Sequence, residues 1–121
     1  MNEEPEKASI GRIEIAPEVL TTIALYTTLS VEGVNQMAQV PADVSHLFRR
    51  SARQNGVILD FSNGSISFDI YVLMEPRVNV LDTSRSIQAA VVEAIDKMVG
   101  IPVEIVNVHV EDVVYSLDDA A

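Results

Sequence analysis

His46 and His109 are the two imidazoles of the chain, and it has no cysteine. A thiolate nucleophile, a thiolate metal site and a disulfide framework are therefore excluded. Neither histidine belongs to a spaced ligand set such as HxxxH or HExxH. Asp60 and Asp69 fall on one face of the strands read below. Two carboxylates can divide acid and base work only where their surroundings push their pKa values apart. The sequence offers no pocket for that, and charges on a sheet face serve instead to keep it soluble and to resist edge-to-edge pairing. Glu111-Asp112 and Asp118-Asp119 lack the spacing of an EF-hand and read as solvated. No glycine-rich phosphate loop and no GxSxG elbow is present. No catalytic residue, cofactor or metal ligand is expected.

One cluster opposes the charge of the chain. Eight basic residues stand against 18 acidic ones, a net charge of −10, yet Arg49, Arg50 and Arg53 follow His46 within a few positions. Blocks of like charge often mark interaction surfaces, and this one suits an acidic protein surface, a phosphate or RNA. The plainer reading is a helix end whose arginines complement the dipole. An acidic chain is a poor general binder of nucleic acid, because phosphate contacts need Lys and Arg. It is also repelled by an anionic membrane surface.

These residues must be positioned by one domain, since 121 residues suffice for a single core. Aromatic residues make up 5% of the chain, so that core is aliphatic. Residues 1–9 and 116–121 read as disordered tails around a domain at 10–115. The acidic N-terminus has no apolar run behind it, and no stretch approaches a membrane span. A cytoplasmic protein, without direct membrane insertion, is expected.

Residues 11–15 alternate, with Ile13 and Ile15 on one side, and read as a strand. Pro17 and Glu18 suit the first turn of a helix to about residue 30. Its buried stripe is expected at Val19, Leu20, Ile23, Ala24 and Tyr26 or Thr27. Pro41-Ala42-Asp43 can open a short helix through the basic cluster, stopped by Asn55-Gly56. Val57, Leu59 and Phe61 then alternate with Ile58, Asp60 and Ser62 up to Asn63-Gly64, a dipeptide preferred in type I′ hairpins. Ile66, Phe68, Ile70 and Val72 continue the alternation. A two-residue turn pairs Phe61 with Ile66, Leu59 with Phe68 and Val57 with Ile70. A helix over about 81–99 buries Ile87, Val91, Ala94, Ile95 and Met98, and Gly100 ends it. Residues 103–115 form the last strand.

The order β-α-(α)-β-β-α-β implies an α+β two-layer sandwich, with two main helices on one face of a mostly antiparallel sheet. The other face is expected to be wet and to expose Ile58, Asp60, Ser67, Asp69, Tyr71, Asn107, His109 and Glu111. The candidate interaction surface is thus His46, Arg49, Arg50, Arg53, Tyr71 and His109.

The run Ile10-Gly11-Arg12-Ile13-Glu14-Ile15-Ala16-Pro17-Glu18-Val19-Leu20, followed by Val31-Glu32-Gly33-Val34, resembles the opening of the alkaline shock protein family. These are envelope stress response proteins, mainly of Gram-positive bacteria. The likeness continues through the basic segment, Gly56-Val57 and the closing Val103-Glu104-Ile105-Val106-Asn107-Val108-His109-Val110. The family usually has a glycine-rich stretch where this chain has Asn35-Gln36-Met37-Ala38-Gln39-Val40-Pro41. The resemblance implies a non-enzymatic cytoplasmic protein that self-associates as a homo-oligomer and acts in envelope homeostasis. It also implies that a membrane-anchoring protein can hold some members at the membrane. A small nucleic-acid-binding module using Arg49, Arg50 and Arg53 is the alternative.

Overall fold

Two-residue alternation dominates the middle of the chain, and the sheet is built there. The computed structural model describes residues 10–42, 51–61 and 64–115. The elements in order are α1 (Pro17–Leu29), β1 (Val34–Met37), β2 (Ser51–Gln54), β3 (Val57–Asp60), β4 (Ser67–Met74), α2 (Val80–Val99) and β5 (Ile105–Val113). Strand β4 is central. Along one edge it pairs in parallel with β5, which it reaches through the α2 crossover. Its other edge is shared end to end. Antiparallel β3 takes the first half and antiparallel β1 the second. Strand β2 extends the sheet beyond β3.

The β3–β4 register pairs Val57 with Ile70 and Leu59 with Phe68, as the alternation requires. Asn63 lies outside the described residues, but Gly64 has φ +75°. A side chain there has free space and only the backbone strain to bear. Gly64→Val should therefore cost about 1–2 kcal/mol. The melting temperature should fall by roughly 4–8 °C, and an unchanged value would place the turn elsewhere.

Both helices lie on one face, over Val57, Leu59, Phe68, Ile70, Val72 and Met74. Asn79 caps α2 by accepting the Asp82 N–H at 2.9 Å. Its buried stripe is Thr83, Ile87, Val91 and Ile95. Met98 is exposed. The stripe advances by four, and Val99 takes the next place against the core. On the wet side Lys97 donates to Glu93 at 2.9 Å, which raises the lysine's pKa.

Helix α1 is rotated from the expected stripe. It buries Leu20, Thr21, Ala24, Leu25 and Thr28, while Val19 and Tyr26 are exposed. Threonine can be buried here because its hydroxyl finds a local acceptor. Thr28 Oγ1 donates to the Ala24 carbonyl at 2.7 Å and Thr21 Oγ1 to that of Glu18 at 3.0 Å. Thr21 and Thr22 also bond Gln54 Oε1, which ties α1 to β2.

The α+β sandwich with a mostly antiparallel sheet stands, with three corrections to its parts. Residues 11–15 are extended but pair with no strand among the described residues. Ser51–Gln54 is a strand, not the end of a helix. Of the short helix read into that region, residues 43–50 lie outside the described residues, as do both tails. Asn55-Gly56 does not stop a helix. With Gln54 opposite Val57, it is a two-residue hairpin turn with φ +45° and +88°, the pattern of a type I′ turn. The third correction is that Val34–Met37 forms β1, in a stretch that shows no strand pattern.

Candidate interaction site

Register decides which side chains meet on the helix-free face. Arg53, Ile58, Asp69 and Asn107 are successive partners across β2, β3, β4 and β5. Tyr71 and His109 are partners in the next row on that face. The face is not uniformly wet. Ile58 is 0% exposed, Tyr71 4% and Asp69 8%. At Ile58 and Tyr71 the chain after β1 causes this, because Ala38 and Val40 pack with Leu73 against them. Strand alternation identifies a face but says nothing of what lies over it. The expected exposure of Ile58, Asp69 and Tyr71 is thereby corrected.

His109 is held from two directions. Its Nε2 lies 2.7 Å from Asp69 Oδ1. Its ring stacks on Tyr71, with centroids 4.2 Å apart and planes 9° from parallel. The sequence marks Tyr71 and His109 separately, but only the parallel β4–β5 register brings them together with Asp69. Arg53 is exposed on the same face, about two strand spacings, roughly 10 Å, from Asp69. His46, Arg49 and Arg50 lie outside the described residues.

An imidazole bonded to a carboxylate is the orienting half of a nucleophilic triad. The other half is a nucleophile within hydrogen-bond reach. No cysteine exists to supply one, and among the described residues no hydroxyl is bonded to His109, whose side-chain bond is to Asp69 and whose ring stacks on Tyr71. A groove of about 750 Å³ between α1, β1 and β2 is lined by Leu25, Tyr26, Met37, Val40, Arg53 and Asn55, and neither Asp69 nor His109 reaches it. Among the described residues no three His, Cys, Asp or Glu side chains gather as a metal site. The Asp69–His109 bond and the Tyr71–His109 stack join β4 to β5 on this face.

That role sets an expectation. His109→Ala leaves a mostly buried carboxylate without its partner and should cost about 1–3 kcal/mol. His109→Gln keeps a donor and should cost less. Thermal melts of the two variants check this, and equal losses would show that the bond to Asp69 contributes nothing.

The fold and site define a small α+β module, with a two-helix layer on one sheet face and a polar clasp on the other. The chain belongs to the alkaline shock protein family, described by its cell envelope-related function, whose model matches residues 5–115. It is similar to the uncharacterized protein Spy1535 of Streptococcus pyogenes, 36% identical over 106 residues that cover 87% of this chain and 81% of that protein. It is also similar to the uncharacterized protein YqhY of Bacillus subtilis, 26% identical, with 87% and 78% covered. No solved structure matches the chain.

Proposed function

We propose that this chain is a non-enzymatic cytoplasmic interaction protein that serves the cell envelope by associating with itself and with a membrane-bound partner. The match to an envelope-related family over residues 5–115 carries this reading. The site chemistry is compatible with it, because His109 is bonded to Asp69 and stacked on Tyr71 across neighbouring strands. Among the described residues no helix is long and apolar enough to cross a membrane. On this reading a membrane-bound partner holds the chain at the envelope.

The test is capture of the full chain at its native level, with the membrane and soluble fractions analysed separately. A specific integral membrane protein should copurify, and a strain lacking the chain should induce its envelope stress response. Recovery in the soluble fraction alone, with no envelope phenotype, would refute the reading.

A further inference from the structure

The segment before α1 has the pattern of a strand and, among the described residues, no strand to pair with. Ile10 is 87% exposed and Ile13 91%. Arg12 and Glu14 bond each other at 2.8 Å, which requires residues two apart to share a face, as in an extended chain. Ile13 and Ile15 therefore share the opposite face. A monomer gains nothing by presenting two isoleucines to water in a strand conformation.

The sheet has an open edge of matching length. Strand β5 pairs only with β4 among the described residues. Glu104 N donates to Ile66 O on the β4 side. Within the ladder Tyr71 turns its N–H and C=O to β3 and β1, so Phe68, Ile70 and Val72 face β5. With Asp69 opposite Asn107, Ile105, Asn107 and His109 bond β4, and Val108 and Val110 turn their N–H and C=O groups to the unpaired side. Val108 and Val110 lie on the helix face and are only partly buried. Strands β1 and β2 offer four residues each. Strand β5 offers nine.

We propose that residues 11–15 add as an antiparallel strand to the free edge of β5 in a second copy of this chain. The step rests on the reading that the chain self-associates, and names the surfaces that do it. One register satisfies both faces. Arg12 opposite Glu111 puts Glu14 opposite His109, Ile13 opposite Val110 and Ile15 opposite Val108. Both polar pairs then join complementary groups, and both isoleucines extend the valine face under the helix layer. The β4–β5 bulge sets Glu111 and Asp112 together against Leu73, so Arg12 meets two carboxylates. A parallel strand would place Glu14 against Glu111 once Arg12 faced His109. Because donor and acceptor are different surfaces, the contact is head-to-tail and can propagate. The charge of −10 opposes the encounter, but beyond about 8 Å it is screened at physiological salt.

The experiment is light scattering after size exclusion, on the full chain and its variants at physiological salt. Wild type should assemble, and Ile13→Asp should weaken assembly at least about tenfold, since it sets a carboxylate on the valine face. Its melting profile should be unchanged when dilute, because Ile13 is outside the core. Arg12→Glu and Glu111→Arg should each weaken assembly, and the two together should restore it. Wild-type assembly that survives both Ile13→Asp and Arg12→Glu overturns the strand contact and leaves self-association standing. Loss without rescue by the charge swap overturns β5 as the acceptor. A wild-type monomer at every concentration overturns the contact and the self-association reading together.

Discussion

Ile58→Asp should prevent the chain from folding. Ile58 is fully buried on the helix-free face, beneath Ala38 and beside Tyr71. Losing the aliphatic side chain costs about 2–5 kcal/mol by itself. Burying a carboxylate adds several more, because desolvation outweighs what Arg53, opposite it on β2, can return. The new charge would also stand directly opposite Asp69. The sum reaches the roughly 5–15 kcal/mol that is the whole stability of an ordinary domain. Circular dichroism should show no cooperative transition on heating. Were that face open to water, the same change would shift stability by no more than about 0.5 kcal/mol. Ile13→Asp is the control for the same chemistry at an exposed site.

Gly56→Ala should be the most damaging methyl group that can be added. Gly56 has φ +88°, and a Cβ would lie 2.5 Å from the Ala38 carbonyl oxygen and 3.0 Å from that of Tyr71. These are backbone atoms and cannot rotate away. Here β1 and β3 meet along the edge of β4. Ala38 N donates to Tyr71 O at 2.8 Å, and Tyr71 N to Gly56 O at 2.9 Å. The left-handed backbone costs alanine about 1–2 kcal/mol, and each buried hydrogen bond forced open about 1–3 more. A loss of roughly 3–5 kcal/mol should lower the melting temperature by at least about 12 °C. Gly64→Ala makes no such contact and should cost only the backbone strain. Equal losses in the two variants would mean that the junction at Gly56 is not tight.

The same dipeptide shows what sequence can and cannot carry. Asn63-Gly64 sits between two strongly alternating runs, and the register that follows from it is the one observed at Leu59–Phe68. Asn55-Gly56 is chemically identical but follows an arginine-rich stretch. Strand β2 has no apolar alternation to announce it, because it is held by backbone pairing and by Gln54 reaching Thr21 and Thr22. Its turn therefore reads as a helix stop, although an Asn-Gly pair is itself the strongest short hairpin signal. Strand β1 is four residues long and equally silent.

Helix α1 departs from its pattern for a different reason. Its buried threonines look polar in a hydropathy pattern, and only the hydroxyl bonds to Ala24 and Glu18 make their burial cheap. The candidate site was half legible. Alternation puts Tyr71, Asp69 and His109 on one face, but the stack and the Asp69 bond depend on the parallel register across an intervening helix. The cover supplied by Ala38 and Val40 depends on chain that carries no periodic signal. Residues 11–15 are the converse case. Their strand pattern is plain in the sequence, yet the described residues of one chain give them no partner.

That strand without a partner is what the proposed self-association would use. Sedimentation velocity of the wild-type chain, at physiological salt and over a wide concentration range, tests it most directly. The weight-average sedimentation coefficient should rise with concentration, beyond that of one chain and through a series of larger species. A single boundary at the monomer value throughout would contradict a function that works by assembly.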